Sequence, residues 1–222
     1  MAALSKDERQ QISEHIKEVQ NPVKLVHFTQ ELDCELCPQT RDLLEDVALL
    51  SDKLSLEVYN SLLDKEKVSQ YGISKVPATV IEGDKDYGIR LYGLPAGYEF
   101  AVLLLDILQV SRRNSGLRPE SVEKLRSLAQ PLHLEVFVTP MCPYCPGAVR
   151  IAHQLAIESD LITADMVEAT EYPELVRRYA VRGVPKTVVN GSVSIDGSLP
   201  ESDYIDEVVS SIAALGQSVA KA

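Results

Sequence analysis

The chain has 222 residues, 45% of them hydrophobic, enough for one large domain or two small ones with modest cores. Its formal net charge of −11 argues against nucleic acid or an anionic membrane as the main partner. No apolar run reaches membrane-spanning length and residues 1–10 lack the apolar core of a secretory signal, so a cytoplasmic location is the expectation.

Ile12, Ile16 and Val19, spaced three to four apart, predict a helix over residues 6–20. The short alternating run 23–28 reads as a strand and leads into a loop holding Cys34 and Cys37, with a helix to about residue 50. A strand is expected at 54–59, a short helix at 64–71, a hairpin from 78–81 and 89–92, and a closing helix at 97–110. Residues 111–119 are polar with Gly and Pro breakers and read as a linker. A helix at 120–129 and a strand at 131–137 then lead to a loop with Cys142 and Cys145, and the same succession follows. This division gives two domains, residues 1–117 and 118–222.

The two halves match in detail. All four cysteines lie in Cys-x-x-Cys motifs, and each motif is followed by a Val-Pro pair at the same distance: Val76-Pro77 and Val184-Pro185. A shift of 108 positions maps Cys34, Cys37, Pro77 and Gly83 onto Cys142, Cys145, Pro185 and Gly191. A repeat that long is a duplicated domain, not a solenoid.

Two intervening residues on a helical turn bring two thiols within bonding reach. Exchange with a disulfide needs a thiolate attacker and a second thiol to resolve the mixed disulfide. A helix N-terminus favours the thiolate of the first cysteine, so Cys34 and Cys142 are the expected attackers and Cys37 and Cys145 the resolvers. Pro38 and Pro146 support helices that start inside the motifs, because only the first turn tolerates a missing N–H. A four-cysteine zinc site is the competing reading, but zinc ribbons place their pairs far closer together in sequence than Cys37 and Cys142. His15, His27, His133 and His153 have no ligand spacing, so no metal is expected.

A strand running into Cys-x-x-Cys, with a later Val-Pro opening a hairpin, resembles the thioredoxin fold. Two such units with both cysteine pairs kept resemble the tandem protein disulfide oxidoreductases, the glutaredoxin-like proteins of archaea and thermophilic bacteria. The tandem is also similar to the N-terminal domain of the alkyl hydroperoxide reductase flavoprotein, which keeps one pair. The resemblance implies an α/β fold of two thioredoxin-like domains, each a central mixed sheet flanked by helices. It implies cis bonds before Pro77 and Pro185, leaving Val76 and Val184 free to pair with a substrate's extended chain. It further implies that Glu99 serves as a proton acceptor for the cysteines of the other unit; its alternative is a charge that favours a helix N-terminus. Glu135 is a second candidate acid by position, and Asp203 matches Glu99 in the other copy.

The expected activity is dithiol-disulfide exchange on disulfide-containing proteins, with redox-active Cys34–Cys37 and Cys142–Cys145 and no bound cofactor. A thioredoxin reductase-like flavoprotein is the expected electron donor, since the chain has no G-x-G-x-x-G dinucleotide motif. A glutathione-dependent glutaredoxin is one alternative, favoured by Cys142-Pro143-Tyr144-Cys145. An adaptor passing electrons within one complex is the other.

Overall fold

The computed structural model describes residues 4–219, and side chains from 4 to 212. The first half runs α1 (Lys6–Ile16), β1 (Val23–Thr29), α2 (Cys37–Ala48), β2 (Leu54–Asn60), α3 (Lys65–Tyr71), β3 (Ala78–Glu82), β4 (Asp86–Tyr92) and α4 (Glu99–Arg112). The second runs α5 (Pro119–Leu125), β5 (Leu132–Val138), α6 (Cys145–Glu158), β6 (Ile162–Glu168), α7 (Pro173–Arg178), β7 (Lys186–Val189), β8 (Val193–Asp196) and α8 (Glu201–Val219). The expected succession holds, with shifted boundaries. The linker is shorter than its composition suggested, because α4 continues to Arg112 before Arg113 turns left-handed at φ 54°.

Each unit is a mixed sheet. In the first, β1 pairs parallel with β2 and antiparallel with β3, and β3 pairs antiparallel with β4. The second repeats this pattern with β5, β6, β7 and β8. The sequence does not foretell the join. Strand β4 pairs parallel with β6, giving one eight-stranded sheet in the order β2-β1-β3-β4-β6-β5-β7-β8. An exposed strand edge invites pairing through its free N–H and C=O groups, and the duplication lets two such edges satisfy each other.

Alternation along the strands sorts side chains onto two faces. Leu25, Ile81, Leu91, Leu134, Val136 and Met166 pack with helices α1, α2, α4, α6 and α8 in the larger core. Val26, Phe28, Val80, Phe137 and Val167 pack on the other face with Tyr71, Tyr172 and residues of α3 and α7. The larger core runs across both units without a break.

Candidate active site

Both cysteine pairs are disulfide-bonded, with Cα–Cα separations of 5.4 Å for Cys34–Cys37 and 5.5 Å for Cys142–Cys145. Cys37 opens α2 and Cys145 opens α6, each followed by a proline in the first turn, where no N–H is needed. The resolvers are sealed, with Cys37 1% and Cys145 0% exposed; Cys142 is 8% exposed and Cys34 half-buried. That order suits chemistry in which the first cysteine of each pair meets the outside molecule.

The Val76–Pro77 and Val184–Pro185 bonds are both cis. In the second unit the Sγ of Cys142 lies 3.7 Å from the Val184 carbonyl oxygen, so cysteine pair and Val-Pro loop sit side by side. Exposed apolar side chains flank both pairs: Leu32 beside Cys34, and Met141 and Tyr144 beside Cys142.

Glu99 is the first residue of α4 and only 1% exposed, and neither carboxylate oxygen has a hydrogen-bond partner. Two contacts locate it. The Tyr98 N–H donates to the Pro140 carbonyl at 3.2 Å, in the loop that carries Cys142. Farther along, His153 Nδ1 of α6 lies 2.7 Å from Asp106 Oδ2 of α4. His153 is eight residues beyond Cys145 and Asp106 seven beyond Glu99, so at the α-helical rise the two helices run side by side from neighbouring N-termini. Glu99, from the first unit, thus starts its helix beside the second unit's cysteine helix. Burial pushes its carboxyl up to about 7; its own backbone N–H opposes this and the nearby charge of Glu168 adds to it.

Glu168 and Glu171 escape sequence reasoning, because neither lies near a cysteine in the chain. Glu168, at the end of β6, is buried, with Oε1 unpartnered. Glu171 is pushed up to about 7 by burial first, against a 2.7 Å bond from the Leu94 N–H, with Glu168 adding to the rise.

Two candidate acids move elsewhere. Glu135 alternates with Leu134 and Val136, so it points to the opposite face from α6 and Cys145. There it faces Lys75, with Oε1 3.7 Å from Nζ. Asp203 is exposed and accepts a 3.0 Å bond from the Ser202 hydroxyl. His27 is fully buried, with Nδ1 3.1 Å from the Ala78 carbonyl and Nε2 unpartnered. No group of three or more His, Cys, Asp and Glu among the described residues is arranged to hold a metal ion. No helix among them is long and apolar enough to cross a membrane.

The thioredoxin domain family model matches this chain twice, over residues 9–96 and 132–210. The chain belongs to the thioredoxin domain family. A protein disulfide oxidoreductase from Aeropyrum pernix is 34% identical in sequence, with 93% of each chain covered and a TM-score of 0.88. The N-terminal domain of alkyl hydroperoxide reductase AhpF from Enterococcus faecalis is 26% identical over 92% of this chain and 99% of that one, with a TM-score of 0.85. The corresponding alkyl hydroperoxide reductase flavoprotein of Pseudomonas aeruginosa is 24% identical over 204 residues, 92% of this chain and 37% of that protein. The chain spans well under half the length of that curated relative. Within its family it is a tandem-domain protein disulfide oxidoreductase with two Cys-x-x-Cys disulfides.

Proposed function

We propose that the protein exchanges dithiols with disulfides in other proteins at two sites, one in residues 1–117 and one in 118–222. The observation that carries this reading is the Cys142 sulfur beside the Val184 carbonyl, at the start of a helix. In the reduced form, the helix N-terminus favours the Cys142 thiolate, which attacks one sulfur of a substrate disulfide. An S–S bond forms to Cys142 as the substrate's own S–S bond breaks, and the released substrate thiolate takes a proton. Cys145 then loses its proton to Glu99 and attacks the Cys142 sulfur. The second substrate thiol leaves, and two electrons have passed to the substrate. Cys34 and Cys37 run the same sequence in the first unit.

Val76-Pro77 and Val184-Pro185 are the substrate-binding loops, offering backbone groups to an extended chain. A carboxyl near 7 suits Glu99 as proton acceptor, since a base works best with a pKa near the working pH. Reduction restores the dithiols, and a thioredoxin reductase-like flavoprotein is the proposed donor. The likeness to the alkyl hydroperoxide reductase flavoprotein keeps one second reading, an adaptor that serves a single partner complex.

Insulin reduction by each cysteine pair alone, with a thioredoxin reductase system or glutathione as donor, tests the reading. Turnover with the flavoprotein system is expected. Turnover with glutathione alone makes the protein a glutaredoxin, and failure on insulin with either donor favours the adaptor. Glu99→Gln is expected to slow release of the mixed disulfide at Cys142 roughly 10²-fold while the fold is kept. Unchanged release kinetics from pH 6 to 8 would retire the proton-acceptor role.

A further inference from the structure

The first unit's Val-Pro loop is held by the second unit, and the reverse does not hold among the described residues. The Pro77 carbonyl accepts from the Gly93 N–H at 3.0 Å, as the Pro185 carbonyl accepts from Gly197 at 2.8 Å. Among the described residues, Pro77 alone of the two has a second donor, the buried hydroxyl of Tyr172, at 3.2 Å. Tyr172 caps α7, and the matching position before α3 is Asp64.

Lys75, next to Val76, adds a second brace. Its ammonium lies 3.7 Å from both Glu135 of β5 and Asp165 of β6, and 3.7 Å from the centre of the Tyr92 ring. Asp165 is also 2.7 Å from His133 Nε2. The side chains of Lys75, Glu135 and Asp165 are 13%, 7% and 6% exposed, so water screens this cluster poorly.

Comparing the copies isolates the device. Lys75 falls on Gly183, which has no side chain. Glu135 pairs with Val188 across the sheet as Val26 pairs with Val80, so the first copy has valine where the second has a buried acid. A buried acid is costly without a partner, and here its partner comes from the other unit.

We propose that Tyr172 and the Lys75–Glu135–Asp165 cluster are positioning residues for the first site, bracing Val76-Pro77 for a substrate docking at Cys34. The proposal rests on the reading of this loop as substrate-binding. The first site then needs the second unit for its grip on substrate, and the second site has no such need.

The test measures insulin reduction with dithiothreitol as donor in two backgrounds. Cys142→Ser with Cys145→Ser leaves the first site alone, and Cys34→Ser with Cys37→Ser leaves the second. In the first background Tyr172→Phe is expected to raise KM about fivefold, the worth of one hydrogen bond, with kcat within about twofold. Lys75→Met combined with Glu135→Val, which leaves no newly unpaired acid at position 135, is expected to raise KM to a similar extent. Neither change should move KM in the second background. Equal effects in both backgrounds, or none in the first, overturn the brace. Pro77→Ala in the first background separates the two ideas. If it raises KM while the brace variants do not, only the brace falls; if it too leaves KM unchanged, the substrate-binding reading of the loop falls and takes the brace with it.

Discussion

His153 and Asp106 meet at 2.7 Å with no exposure of either side chain, joining the second unit's cysteine helix to the first unit's closing helix. Burial pushes the Asp106 carboxyl up, while the charge and hydrogen bond of His153 pull it down. Asp106 Oδ1 and His153 Nε2 have no other partner among the described residues, so each side chain relies on the other.

Removing one member should therefore be worse than removing both. Asp106→Ala is expected to cost about 3–5 kcal/mol, since it leaves a buried polar ring unpaired. Asp106→Leu with His153→Leu should cost markedly less. Urea unfolding of the three proteins decides it; a double variant no better than the single one would show that the pair adds more than charge compensation.

His27 sets a pH limit on stability. Burial, its largest influence, lowers its pKa to about 4 despite the Ala78 carbonyl, against an ordinary value of 6.5. Below 6.5 the unfolded chain binds a proton that the folded protein refuses, so stability falls as pH drops from 6.5 towards 4. The loss is about 3 kcal/mol in full. Denaturation midpoints from pH 7.5 to 4 should show it, and His27→Gln should flatten the curve over that window.

Glu99 acts in the other direction. Its carboxyl is raised to about 7 from 4.5, so ionisation is easier in the unfolded chain and stability falls as pH rises from 4.5 through 7. Glu99→Gln should gain stability relative to the parent at pH 8 and lose that advantage at pH 4. A constant difference across this range would mean that Glu99 does not titrate in its buried place.

Gly97 fixes how Glu99 enters its helix. Its φ is +61°, and a Cβ there would lie 2.3 Å from the Pro140 carbonyl oxygen, a backbone atom with no rotamer to escape into. Gly97→Ala is expected to break the Tyr98–Pro140 contact and cost at least about 1 kcal/mol. Insulin reduction should drop at Cys142 and persist at Cys34, as assayed in the two double-serine backgrounds.

The cysteine sites should differ in acidity. Glu31, Asp33 and Glu35 are exposed around Cys34, whereas the neighbours of Cys142 in the chain, residues 139–144, carry no acid. Nearby negative charge raises a thiol pKa, so in reduced protein Cys142 should titrate below Cys34. Thiolate absorbance of the two double-serine proteins measures this; a lower value for Cys34 would refute the asymmetry.

The sequence by itself determined the elements and the chemistry. Strand alternation, the prolines after each motif and the 40-position spacing from Cys37 to Pro77 and from Cys145 to Pro185 are local or repeated signals, and a duplication states them twice. Only the tertiary structure decided what lies between the copies. The β4–β6 pairing, the place of Glu99 beside α6, the turn of Glu135 toward Lys75 and the bond from Tyr172 to Pro77 join residues up to 95 positions apart, with no pattern along the chain to announce them. They arise because two edge strands pair and two helices share one core, so the partner of each buried polar group is chosen by packing.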